Sequence, residues 1–163
     1  MSIAPDEICR RFGEAKFKEM FGSLNANEMK GVLQEASIPS VRLPSHTSTR
    51  KRNEDWFNKL WHKTGAAAVK GYTALMFRWL TKQRAPLLTA YLDAIGVAHQ
   101  GGLTDADFLN EVPEVLLQEE ARKLLADERF DKREVAAYLL FLDFTNQTQR
   151  FAALELDGIL SAA

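Results

Sequence analysis

Apolar residues return every three to four positions along this chain, and no stretch alternates apolar and polar residues over the length of a strand. The pattern therefore predicts helices throughout. A first helix is expected over 5–21, opened by Pro5 and interrupted at Gly13, because proline's fixed φ suits the first helical position. A second, over 26–36, places Met29, Val32, Leu33 and Ala36 on one face. Residues 37–50, SIPSVRLPSHTSTR, carry two prolines and a run of small polar residues and read as a long loop. Helices follow over 53–64, with Trp56, Phe57, Leu60 and Trp61 on one side, and over 66–84. The latter is apolar around more than half its circumference, through Val69, Tyr72, Leu75, Met76, Phe77, Trp79 and Leu80, which predicts a central, buried helix.

Pro86 opens a helix over 86–95, and shorter pieces are expected over 105–111 and 113–126. The run EVAAYLLFLDF at 134–144 is apolar on all sides and reads as a second buried helix, whereas a last helix over 148–160 has no clean apolar stripe. No fixed-period repeat is present. The expected fold is all-α: one domain, 1–163, forming a single compact orthogonal bundle of seven to nine helices without a sheet.

Three helix starts share one signature: an apolar residue, a capping residue, an acid three positions after the cap, and a further apolar residue. They are Leu24-Asn25-Ala26-Asn27-Glu28-Met29, Leu103-Thr104-Asp105-Ala106-Asp107-Phe108 and Phe130-Asp131-Lys132-Arg133-Glu134-Val135. The cap oxygen accepts from unpaired N–H groups of the first turn, the acid reaches back to the cap's own N–H, and the apolar pair closes as a staple. Thr104 is the standard residue for this box, and Asn25 and Asp131 are looser matches.

The stretch GVAHQGGLT, residues 96–104, superficially resembles a phosphate loop, with Gly96 and Gly101 at the right separation. Gly102 stands where the lysine belongs, Leu103 where the serine or threonine belongs, and a helix rather than a strand precedes it. The groups that would meet a phosphate are missing. The stretch reads instead as punctuation: Gly96 as a left-handed helix stop with Val97 placed to touch Leu92, Gly101-Gly102 as a turn, and His99 as a solvated loop residue or one that caps a nearby carbonyl.

Little else points to catalysis. His46, His62 and His99 are scattered, and the single cysteine, Cys9, excludes an internal disulfide and reads as a small buried residue despite its neighbours Arg10 and Arg11. Asp143 is the acid of most interest, since it lies among apolar residues and a buried carboxylate needs partners. The expected partners are Arg150 or the N–H groups of the following helix, in preference to a role as a catalytic acid. No cofactor or metal is expected, and the chain reads as a non-enzyme. The opening MSIAPDEICRRFGE has no apolar core of a secretory signal, and no run approaches the ~20 residues that span a bilayer. A cytoplasmic protein without membrane contact is the expectation.

Charge changes this picture most. The net charge of −1 hides nine bases against two acids over residues 50–84, or +7, and six against fourteen over 85–163, or −8. Either the acidic half neutralises the basic segment internally, or the segment presents a positive face to an anionic partner. Helical spacing puts Lys70, Arg78 and Lys82 on one side of their helix, and Lys59 and Lys63 one turn apart on theirs. With Arg50, Lys51 and Arg52 they are the candidate partner-binding residues. The expected function is a helical protein–protein interaction or adaptor protein that recognises an acidic protein surface. A nucleic-acid-binding protein using residues 50–84 is the alternative, since cations alone meet phosphates without base readout.

Overall fold

The computed structural model describes residues 2–39, 46–105 and 107–162, and among these the chain forms nine α-helices, two short 3-10 turns and no strand. The break at Gly13 divides the first expected helix into α1 (Pro5–Phe12) and α2 (Glu14–Gly22). Helix α3 (Ala26–Glu35) starts at the full reciprocal capping box: Glu28 N–H donates to Asn25 Oδ1 at 2.9 Å, and Asn25 N–H donates to Glu28 Oε1 at 3.0 Å. The staple pair Leu24 and Met29 is buried beneath it.

The middle of the expected loop, residues 40–45, lies outside the described residues. Its end comes earlier than the apolar pattern indicated. Helix α4 (Thr49–Trp61) begins four residues before the expected start at 53, because Ser48 Oγ accepts from Lys51 N–H at 3.2 Å and so caps the helix. Polar residues occupy that first turn, so the cap alone marks it.

Helices α5 (Ala66–Gln83) and α8 (Lys132–Thr145) form the centre, as their apolar circumference predicts. Every residue of α8 from Glu134 to Asp143 is buried. Helix α5 packs on α3, α1, α2 and α6 (Ala85–Ala94), and α8 packs on α1, α7 (Glu114–Ala126) and α9 (Leu156–Ser161). An aromatic cluster joins α2, α4 and α5, with Phe17 5.0 Å from Trp61, 5.1 Å from Tyr72 and 5.4 Å from Phe57 between ring centroids.

Two expected helices are reshaped. Thr104 does not open a helix over 105–111; only a 3-10 turn, Phe108–Glu111, forms there, entered through Asp107 at φ +63° without a side-chain cap bond. Pro113 forces Val112 into the extended region (φ −105°, ψ 133°). Too few residues then remain for a stable α-helix, and the segment tightens to bury Phe108, Leu109 and Val112. The expected helix 148–160 is likewise split into a 3-10 turn, Ala152–Leu154, and α9, with Glu155 at φ +51° between them. A continuous helix would set Phe151 and Leu156 about 140° apart around its axis. The break lets both be buried.

Candidate functional site

The glycine-rich stretch is built as punctuation. Gly96 has φ +74°, Val97 N–H donates to Leu92 C=O at 3.0 Å, and Gly96 N–H donates to Asp93 C=O at 3.2 Å. This is the paired bonding of a Schellman stop. Gly101 and Gly102, at φ +59° and +95°, sit between Gln100 and Leu103, which exchange backbone hydrogen bonds at 2.9 and 3.1 Å. Two successive positive φ values make this a type I′ turn. His99 is neither the solvated residue nor the carbonyl cap expected: its side chain is largely buried and bonded at both nitrogens, to a carboxylate and a backbone N–H. Gly102 N–H donates to Nδ1 at 3.1 Å, so the ring proton sits on Nε2, which donates to Asp93 Oδ1 at 2.6 Å. Imidazole thus ties the turn to the end of α6.

Asp143 is 4% exposed and carries the partners its setting demands. Its carboxylate accepts from Thr148 Oγ1 at 2.7 Å, Arg150 N–H at 2.9 Å and Phe151 N–H at 3.1 Å. Arg150 contributes its backbone rather than its guanidinium to this clasp, which holds the turn after α8. Burial pushes the Asp143 carboxyl above its ordinary value, and the three donors pull the other way without overcoming it. Cys9 is fully buried, and desolvation pushes its thiol up, away from the reactive thiolate. His62 Nδ1 lies 2.8 Å from Asn58 C=O, and His46 is exposed. Among the described residues no three His, Cys, Asp or Glu side chains are grouped to hold a metal ion.

The basic residues fall into two sets. In the first, each cation is paired with an acid of the described chain. Lys82 Nζ lies 2.6 Å from Glu28 Oε2, Arg78 approaches the same oxygen at 3.9 Å, and Lys59 pairs with Asp55 at 3.0 Å. The Lys82 ammonium, ahead of the other donors, holds the Glu28 carboxyl below its usual range. Arg84 Nε donates to both Glu134 oxygens at 2.9 and 2.7 Å, and Lys16 reaches Glu134 at 3.0 Å. Internal compensation therefore operates, but α3 supplies Glu28, and only Glu134 comes from the acidic C-terminal half.

The second set comprises Arg50, Lys51 and Arg52 at the start of α4, Lys63 just past its other end and Lys70 on α5. The Arg50 side chain is 90% exposed, with a 3.4 Å contact to Glu54; Lys51 and Lys70 are exposed and Lys63 half-buried. The Arg52 guanidinium lies 4.7 Å from the Trp56 ring centroid.

One feature is invisible in the helical pattern. An apolar groove of about 280 Å³ opens between α5, α6 and α8, lined by Phe77, Leu80, Leu88, Leu92, Tyr138 and Phe141 and closed on one side by Leu103 and Phe108. Phe77 and Leu103 are 50% and 48% exposed. Asp105 and Asp107 lie at its edge. The apolar run in α5 counts Phe77 as core; its exposure depends on how far α6 and the Gly101-Gly102 turn reach across the helix.

Fold and surfaces together define an all-α bundle with a basic helix start and an apolar groove. In comparisons with protein-family models, with curated proteins and with solved structures, nothing matches this chain. No helix among the described residues is long and apolar enough to cross a membrane.

Proposed function

We propose that this chain is a non-enzymatic helical interaction or adaptor protein, and that the basic turn opening α4 contacts an acidic surface on a partner protein. One observation carries this reading: Arg50, Lys51 and Arg52 stand in the first turn of α4, where no acid is present. The helix dipole is positive there, so each cation costs roughly 0.3–1 kcal/mol instead of stabilising the helix. Their compensations within the fold are small, an exposed i,i+4 pair to Glu54 and the stacking of Arg52 on Trp56. An acidic partner relieves the repulsion and meets the positive end of the helix dipole.

The test is reversal of Arg50, Lys51 and Arg52 to Glu together. Partner capture at low salt should fall sharply while the thermal midpoint stays within a few degrees, because acids suit this helix end. Capture by the wild type should weaken with salt and survive nuclease. Unchanged capture by the reversed protein overturns the reading. A nucleic-acid partner is the alternative use of the same cations; submicromolar binding of random-sequence DNA at physiological salt, tighter than the roughly 1–100 μM of ordinary non-specific association, would favour it.

A further inference from the structure

The apolar groove is a second surface, separate from the basic turn and of opposite character. We propose that it docks an amphipathic helix of a partner protein, which inserts two apolar side chains one turn apart and places a lysine or arginine against Asp105 and Asp107. Volume sets the first requirement. An apolar cavity of roughly 150 Å³ holds one benzene ring, and this groove, at about 280 Å³, has room for about two such groups. Side chains at i and i+4 of a helix present two groups about 5–6 Å apart at their Cβ atoms, which is the spacing such a groove accepts.

The rim separates a helix from a small molecule. Among the described residues only three large apolar side chains are exposed, and two of them, Phe77 and Leu103, line this groove. A ligand confined to the cavity touches only the faces of Phe77 and Leu103 that line it, whereas a helix lying across the opening also covers their outer faces. Tyr138 adds a polar handle on the wall. Tyr72 and Tyr91 donate their hydroxyls to Leu60 C=O at 3.0 Å and Leu117 C=O at 2.9 Å, whereas Tyr138 makes no side-chain hydrogen bond among the described residues and lines the groove.

Charge sets the sign of the occupant. Asp105 and Asp107 are exposed at the groove, and their carboxylates join no ion pair or hydrogen bond among the described residues. They belong to the chain half that carries −8. The local and the wider field both attract a cation and repel an acidic helix.

The experiment uses a fluorescein-labelled amphipathic peptide with leucines at i, i+4 and i+7 and lysines flanking them, titrated with the full chain and read by anisotropy. Its companion peptide has glutamates in place of the lysines. The lysine peptide should bind at least about tenfold more tightly than the glutamate peptide. Phe77→Ala with Leu103→Ala should weaken it by roughly tenfold or more, as loss of central apolar contacts does. Asp105→Asn with Asp107→Asn should reduce its salt dependence while leaving the circular dichroism unchanged.

Binding that is indifferent to the Phe77 and Leu103 changes overturns the proposal. So does a naphthalene-sized hydrophobe that competes fully while the peptide shows no preference for lysine. Concentration-dependent self-association abolished by Phe77→Ala also overturns it, since a second copy of this chain would then be the occupant.

Discussion

Gly71 lies in the middle of α5, where a glycine ordinarily weakens a helix, and replacing it with alanine should nevertheless destabilise the protein. In an exposed helix the change gains about 1 kcal/mol. Here a Cβ on Gly71 would stand 2.5 Å from Ala36 Cβ, 3.2 Å from Ala36 Cα and 3.3 Å from Ala36 N. Carbon atoms in good contact are roughly 3.5–4.0 Å apart, so the helices must separate by about 1 Å at this crossing. No rotamer change relieves it, because the opposing atoms are backbone and a Cβ. The separation would disturb Val32, Leu33, Ala36 and Leu75, all fully buried.

Overpacking costs up to about 3 kcal/mol when neighbours cannot yield, and subtracting the helical gain leaves a net loss of about 2 kcal/mol. For a chain of this size that lowers the thermal midpoint by roughly 4–8 °C. Urea denaturation followed by Trp56, Trp61 and Trp79 fluorescence reads it as a lower midpoint at unchanged slope. Gly22→Ala is the control, since no atom lies within 4 Å of the added carbon, and it should leave stability unchanged or raised. Ala36→Gly combined with Gly71→Ala should recover part of the loss, giving a coupling between the two sites. A Gly71→Ala protein as stable as the wild type, or a double variant that is strictly additive, would refute the crossing as the cause.

Gly96→Ala should cost about 1 kcal/mol from the left-handed backbone alone, since nothing lies within 4 Å of the added carbon; Gly102→Ala should cost more, because its Cβ would also press on Leu88 Cβ at 2.9 Å. Both are read from urea midpoints. Asp143→Ala leaves one hydroxyl and two backbone N–H groups without their acceptor and should cost about 3 kcal/mol. Because burial raises the folded-state pKa of Asp143, its contribution is full below the ordinary aspartate value and declines as pH rises through the raised one. The gap between wild type and Asp143→Ala should therefore be widest in acid, and a gap that grows toward neutral pH would contradict this. Glu134→Gln removes the charge that pairs Arg84 and Lys16 and should lower stability by about 2 kcal/mol; an unchanged thermal midpoint would count against the ion cluster as a structural tie.

The elements that sequence alone determined are those whose cause is local. Helical periodicity, the Gly96 stop and the two apolar helices α5 and α8 each depend on residues within a few turns of one another, so spacing and side-chain type specify them; the capping signature holds at Asn25 and fails at Thr104, where Pro113 leaves too few residues for a helix. The same holds for the need of Asp143 for partners, although which atoms answer it depends on how the turn at 146–151 folds back.

Tertiary structure decided what depends on elements meeting. Phe77 and Leu103 are 26 residues apart, and only the placement of α6 and the Gly101-Gly102 turn makes them edges of one groove. Glu28 and Glu134 read as capping acids; Glu28 keeps that bond and also draws Lys82 and Arg78, whereas Glu134 leaves its cap for Arg84 and Lys16. Arg78 and Lys82 therefore differ from Arg50 and Lys51 although composition counts them alike. Helical spacing fixes the direction of a side chain about its own axis, but not what another helix places opposite it. Exposure and charge pairing, the two properties on which a binding surface rests, are set across those non-local contacts.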